Sequence, residues 1–238
     1  MSQALKLALS PLLLAQALHA RRSIPKLPEA AGPRQGLTGQ GGAVLRLLIV
    51  GDSSAAGVGV AHQDQALAGR LSQALAQGLG RRVHWQLCAR SGINSLQAHT
   101  LLDGADAADV AVVVTGVNDV VDQLVPARVL AARGQLLQAL RQRCGIRHAV
   151  MTPVPPMQRF AGLPQPLRWM AGRDAAVHEG ALAAWAALQP GVSHLPFDMP
   201  LDDPQLLASD GFHPGAPLYQ LWGEALARHI ATDVWPRL

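Results

Sequence analysis

The chain has 238 residues, 49% of them hydrophobic and 15% charged, and a formal net charge of +4. That is enough apolar sequence for one domain with a sizeable core, and it excludes a disordered chain. The basic residues are almost all arginines and are scattered, without the stripe and interleaved aromatics of a nucleic-acid surface, so no nucleic-acid partner is expected.

Residues 5–18 form a largely apolar run with Lys6 at its start and Arg21-Arg22 after it. It is shorter than the roughly 20 residues of a spanning helix. Two readings stay open: the apolar region of a signal peptide with Ala15-Gln16-Ala17 at its cleavage site, or an uncleaved helix lying on the domain or in peripheral contact with a membrane. The basic pair after the run favours the uncleaved form, and with it a cytoplasmic or membrane-associated protein. Removal of residues 1–17 would imply a periplasmic or secreted one. Residues 23–44, rich in Pro and Gly, read as an extended lead-in, so residues 1–44 are set apart from a domain at 45–238.

From there strands and helices alternate. Residues 45–50 are apolar but for Arg46 and read as a strand buried on both faces. Leu67, Leu71, Leu75 and Leu79 mark one face of a helix. Residues 83–88 form the next strand, and residues 94–102 a short helix with Asn94 as its cap. Residues 110–114 are the most apolar strand. Pro126 opens a helix with Val129, Leu130, Leu136, Leu137 and Leu140 inward. A strand at 147–151, a Pro-rich stretch at 153–170, a helix at 174–188 and a weak strand at 192–195 follow. Pro217 begins a last helix that turns Leu218, Leu221, Trp222, Ala225 and Ile230 to one side. Strands joined by helices mean a mainly parallel sheet whose site lies at the strands' carboxyl ends. Cys88 and Cys144 have no metal-ligand spacing and read as two buried thiols, their pairing left open.

Four short blocks fall where a strand ends or a helix begins: Gly51-Asp52-Ser53, Ser91-Gly92, Gly116-Val117-Asn118-Asp119 and Asp210-Gly211-Phe212-His213. Each is ordinary by itself. A serine after a strand usually caps a helix, a glycine makes a turn, an asparagine closes a loop, and an Asp-x-x-His turn caps the helix that follows. Ser53 at a helix N-terminus would feel free N–H groups and a favourable dipole. The three-residue spacing lets Asp210 reach the His213 imidazole and turn its other nitrogen to a serine. Gly57-Val58-Gly59 hints at a phosphate loop but lacks the Lys-Ser/Thr that would complete one.

In this order and together, the blocks resemble those of the SGNH hydrolases, the GDSL esterase/lipase family, whose Ser, Gly, Asn and His are matched by Ser53, Gly92, Asn118 and His213. The likeness runs from about residue 45 to about residue 230, although Ser54-Ala55-Ala56 replaces the usual continuation of the first block. It implies a flavodoxin-like three-layer α/β/α sandwich on a mainly parallel five-stranded sheet. It implies a serine esterase in which Ser53 attacks, His213 carries the proton and Asp210 supports it. The oxyanion would rest on the Ser53 and Gly92 N–H groups and the Asn118 amide. Asp119 is expected as a hydrogen-bond acceptor behind the site. No metal or organic cofactor is implied.

Met157, Phe160, Leu167 and Trp169 in the Pro-rich stretch are expected to form an apolar acyl-binding wall. No row of aromatics suited to a glycan appears, so short- to medium-chain acyl esters or lysophospholipids are preferred as small-molecule or lipid substrates. An acyltransferase would use the same residues with an alcohol in place of water. A non-catalytic lipid-binding module fits the intact blocks less well.

Overall fold

The computed structural model describes residues 3–238, and the side chains among them except those of residues 3–8 and Arg21. It is built from helix α1 (Gln3–Ser23), strands β1 (Gln35–Thr38) and β2 (Val44–Gly51), helix α2 (Leu67–Leu79) and strands β3 (Arg82–Ala89) and β4 (Val110–Val114). Helices α3 (Val117–Val121) and α4 (Pro126–Cys144), strand β5 (His148–Met151), helix α5 (Leu167–Ala187), strand β6 (Val192–His194) and helix α6 (Ala216–His229) complete it.

The strands form one sheet in the order β1-β3-β2-β4-β5-β6. Every pair is parallel except β1 with β3. Without β1 the order is that of a flavodoxin-like sheet. The expected five strands become six because residues 35–38, from the Gly-rich lead-in, pair with β3 along the sheet edge. Their side chains alternate between exposed and half-buried, and a four-residue edge strand of this composition carries too little apolar pattern to announce itself.

Central strand β4 is buried at all five positions, as its uniform apolar sequence requires, and β2 is buried from Leu47 to its end. Leu67, Leu71 and Leu75 of α2 are fully buried. Helix α2 packs with α6, and α4 with α5, so the helix pairs cover the sheet from its two sides. Helix α4 has Pro126 in its first turn and ends at Gly145 in the left-handed conformation.

Three local expectations need correction, and one short helix goes unforeseen. Residues 91–97 are turns, with Asn94 Oδ1 accepting from the Leu96 N–H at 3.1 Å, and only Ala98–Leu102 winds as a 3₁₀ turn. Helix α5 begins at Leu167, seven residues before position 174, because the chain can turn helical as soon as Pro166 is passed. The short α3, straight after β4, was too brief to show a period. Leu221 faces solvent, at 43% exposure, while Leu218, Trp222 and Leu226 hold the buried stripe of α6.

Neither cysteine is paired. Cys144 is buried as expected, whereas Cys88 is half-buried at the core's edge; burial pushes the Cys88 thiol up to about 11 and raises Cys144 as well, which keeps both poorly reactive.

Candidate active site

The sheet leaves β2 toward β3 on one side and toward β4 on the other, so the loops after β2 and β4 diverge and open a crevice at their carboxyl ends. Strand β2 closes with Gly51 because nothing larger fits. A Cβ there would stand 2.4 Å from the Val114 carbonyl oxygen and 2.7 Å from the Ala55 Cβ. The Asp52 N–H then donates to that same Val114 oxygen at 3.0 Å, which ties the first loop to the end of β4.

Ser53 follows, but not on a helix N-terminus. The chain makes one turn, in which the Ala56 N–H donates to Asp52 O at 2.9 Å and the Val58 N–H to Ser53 O at 3.0 Å. Gly57 and Gly59, at φ +82° and +107°, break it before it can propagate. The next regular helix starts only at Leu67. Capping of the turn falls to Asp52, whose Oδ1 accepts from the Ser54 N–H at 3.0 Å, and this leaves the Ser53 hydroxyl to face elsewhere. Gln63, fully buried, donates to the carbonyls of Ala30 and Ala56 and clamps the turn to the lead-in.

The turn before α6 brings the histidine to the serine. His213 Nε2 lies 2.9 Å from Ser53 Oγ, and Nδ1 lies 2.6 Å from Asp210 Oδ2. The other carboxylate oxygen, Oδ1, accepts from the backbone N–H groups of Phe212 and His213, each at 3.0 Å. The Asp210 side chain has no exposed surface. Burial pulls its pKa upward, but the hydrogen bonds from His213 and Phe212 outweigh that and hold it below the ordinary carboxylate value. An anionic Asp210 fixes the tautomer with hydrogen on Nδ1 and leaves Nε2 to accept from the serine. Phe212 stands edge-on to the His213 ring at 5.1 Å, and Phe160 lies against Phe212 at 4.5 Å.

The second and third blocks meet across the crevice. Gly92 has φ +81° and open space where a Cβ would be. Asn118, in the first turn of α3, donates from Nδ2 to the Ile93 carbonyl at 2.7 Å, so it is bound to the Gly92 loop. An amide nitrogen carries two hydrogens, and this contact uses one. Behind them Asp119, fully buried, accepts from the Ser95 N–H and hydroxyl, both at 2.7 Å, and pairs with the buried Arg133 of α4 at 3.6 Å. Arg133 also donates to the Thr115 carbonyl at 2.9 Å. From the lead-in, Glu29 Oε1 accepts from the Ser91 N–H and hydroxyl at 2.7 and 2.8 Å. Sequence reasoning missed Glu29 and Arg133. Nothing local marks Glu29, and an arginine on an otherwise apolar helix face is the only sign of Arg133.

A cleft of about 480 Å³, solvent mouth included, runs under the Ser53 turn. The chain neighbours of Ser53 and His213 line it, Asp52 and Ser54 with Phe212 and Pro214. Its apolar wall is Phe160, Met199, Leu201 and Phe212. Of the four residues expected to form an acyl wall, only Phe160 borders this cleft. Met157 is buried in the core, Leu167 is half-buried at the start of α5, and Trp169 is 39% exposed on its outer side.

Asp52 is the costly member of this arrangement. Full burial raises its carboxyl to about 6, against the lowering pull of the Ser54 N–H and the His213 charge. The folded chain therefore holds a proton that the unfolded chain releases near the ordinary 3.8, and stability falls as pH rises from about 4 to about 6. Asp52→Asn, neutral throughout and still able to accept from Ser54, should be more stable than the parent by roughly 3 kcal/mol above that window and nearly equal below it. Urea unfolding of both proteins at either end of the window checks this. An equal gap at both ends would show that ionisation of Asp52 costs nothing.

A second Asp–His–Ser line lies at the other end of the strands. Asp233 Oδ2 lies 2.9 Å from His229 Nδ1, and His229 Nε2 lies 2.8 Å from Ser193 Oγ. There the hydroxyl is shared with a second imidazole, His148 Nε2 at 2.9 Å, whose pKa burial pushes down to about 4. Ser193 sits within β6, paired with Val150, away from the loops that carry Gly92 and Asn118. Among the described residues no cluster of three or more metal-ligating side chains is assembled.

The model of the GDSL-like lipase/acylhydrolase family matches residues 49–221, which span all four blocks. The chain belongs to this family. It is 28% identical over 237 residues to the GDSL-like esterase Rv1075c of Mycobacterium tuberculosis, covering 90% of this chain and 74% of the relative. Among solved structures, the lipase Lip_vut3 from a goat rumen metagenome superposes with a TM-score of 0.62 at 16% identity, over 79% of this chain and 97% of that one. The esterase EstA from Pseudoalteromonas gives 0.57 at 16% identity, over 81% and 99%. These likenesses carry the fold, and the family match makes the chain a GDSL-type hydrolase of small-molecule esters.

Proposed function

We propose that this GDSL family member hydrolyses carboxylic esters of short- to medium-chain acids through an acyl-enzyme on Ser53. The observation that carries this is the hydrogen-bonded line from Asp210 through His213 to Ser53. Gly92 and Asn118 follow the two strands that flank β2, and the Asn118 amide is bound to the Gly92 loop, which supports the reading. Ser53 Oγ attacks the ester carbonyl as its proton passes to His213 Nε2. Asp210 holds the ring and offsets the charge it gains. The carbonyl oxygen, now an anion, is received by the N–H groups of Ser53 and Gly92 and by the second N–H of Asn118. Collapse expels the alcohol, which takes the proton from His213. Water then attacks the acyl carbonyl as it gives a proton to the same nitrogen, and the acid is released when the bond to Ser53 Oγ breaks and Oγ takes that proton back.

Asn118→Ala should lower kcat more than it raises KM, because its donor matters most when the oxygen carries charge. The expected loss is on the order of 2.7–4 kcal/mol. Steady-state kinetics on a soluble ester separate the two constants, and a rise in KM alone would make Asn118 a ground-state binding residue.

The cleft wall supplies the acyl preference. Phe160→Ala should shift the chain-length optimum upward, each methylene gained being worth roughly 1–3 kcal/mol of discrimination. Trp169→Ala should change neither preference nor thermal midpoint appreciably, since that ring is partly in solvent. A series of p-nitrophenyl esters of graded length, run beside a lysophospholipid, tests both variants and the reading itself. Absence of turnover across the whole series would overturn it.

A further inference from the structure

Helix α1 is apolar on both sides. Leu13, Ala17 and Ala20 face the domain, as does Ile24 just past its end, while Leu12, Leu14 and Leu18 face outward at 47%, 63% and 46% exposure. Gln16 fastens the helix to the Pro-rich segment that carries Phe160. Its Nε2 donates to the Gln165 carbonyl at 2.7 Å, and its Oε1 accepts from the Leu167 N–H at 3.1 Å. Two residues on, Trp169 stands 39% exposed, with the Arg173 guanidinium over its ring at 5.4 Å. The first acidic residue of the chain is Glu29, whereas Arg22 and Lys26, both exposed, follow directly on the leucine face.

We propose that the outward face of α1, with Trp169 beside it, docks the enzyme on an anionic phospholipid bilayer. Leu14 and Leu18, one turn apart, form an exposed apolar stripe, and Leu12 adds another exposed leucine on the other flank of the outward surface. No helix among the described residues is long and apolar enough to cross a membrane, so α1 lies in the interface rather than spanning it. A half-exposed Trp with an adjacent Arg suits the headgroup level, where an aromatic ring has one side apolar and one wet. Charge decides the occupant: a segment with basic and no acidic side chains repels a second copy of itself and is drawn to anionic lipid. Each basic residue near such a surface strengthens binding by about fivefold. Docked this way, the Pro-rich segment at the cleft faces the lipid.

The experiment is vesicle co-sedimentation of the full chain. It uses phosphatidylcholine alone and phosphatidylcholine with about one third phosphatidylglycerol, with Trp emission recorded alongside. The expected result is binding to the anionic vesicles that salt releases, with a blue shift that Trp169→Phe removes. Leu14→Asp with Leu18→Asp should weaken binding at least ~10-fold. That double variant should keep the thermal midpoint and the hydrolysis of a soluble short-chain ester, because both side chains already face water. Arg22→Glu with Lys26→Glu should weaken binding to anionic vesicles severalfold and leave the weak binding to neutral ones unchanged. The proposal is overturned if the parent chain does not bind anionic vesicles, or if both double variants bind as the parent does. It is equally overturned if light scattering finds a dimer that the leucine variants dissolve while vesicles stay bare, since α1 would then be covered by a second copy.

Discussion

Replacing Ser53 with alanine should lower kcat for ester hydrolysis by at least about 10³-fold and leave the fold untouched. The two halves of this expectation have separate causes. The hydroxyl is the atom aligned with His213, so its loss removes the nucleophile and the covalent route with it. The turn that carries it is held by other groups: the Asp52 and Ser53 carbonyls, the Asp52 side chain and the Gln63 amide. Kinetics with a p-nitrophenyl ester and a thermal midpoint measure both halves. Ser54→Ala serves as the control, since losing activity there and keeping it in Ser53→Ala would move the nucleophile by one residue. A fluorophosphonate probe should label Ser53 and leave Ser193 unmodified. Ser193 also has an Asp-backed histidine, but its hydroxyl lies between two imidazoles within a strand. Labelling of Ser193 would mean that the hydrogen-bonded line suffices without a Gly92–Asn118 counterpart.

What could be read from the sequence tracks how much of the physics is local. The buried strand segments at 47–51 and 110–114 announce themselves because a strand covered on both faces has no polar alternation to hide in. The leucine stripe of α2 is legible for a different reason, since its leucines recur every four residues on one helix face. Strand β1 is not, because its place is granted by the free edge of β3 rather than by its own residues. The seven early residues of α5 are masked by the prolines before them, and the helix expected at Ser53 fails because two glycines in left-handed conformations stop a turn that otherwise begins like one.

The site shows the same division. Asp210 and His213 are three residues apart, so one turn suffices to pair them, and the motif itself encodes the contact. The Ser53–His213 contact spans 160 residues and follows only from the sheet order that brings the two loops together. Glu29 holds Ser91 directly and Arg133 pairs with the Asp119 that holds Ser95, both from elements distant in the chain, so no spacing could have disclosed them. The acyl wall was misjudged in composition because the Pro-rich stretch divides. Met157 turns into the core, Phe160 to the cleft and Trp169 outward, and a run without periodicity gives no sign of which way each residue points.

Asp119→Ala should destabilise the chain by about 3–5 kcal/mol, the cost of breaking a buried ion pair from one side. The parent protects Asp119 with two hydrogen bonds from Ser95 and the guanidinium of Arg133, all away from solvent. Removing the carboxylate leaves Arg133 charged in the core with the Thr115 carbonyl as its remaining hydrogen-bond acceptor, at a place where burial already draws its pKa down. Removing Arg133 as well, in Asp119→Ala with Arg133→Leu, should recover much of that loss, because the isolated charge rather than the missing contact is the expensive part. Activity should not recover with it. Ser95 follows Asn94 in the loop that presents Gly92, and without Asp119 that loop loses two of its anchors, so kcat should stay depressed in the double variant. Denaturant unfolding of the parent, the single and the double variant, with kcat and KM from the same preparations, separates the two effects. If stability and kcat return together, Asp119 supports only the core. If stability returns and kcat does not, its contacts to Ser95 position the oxyanion loop.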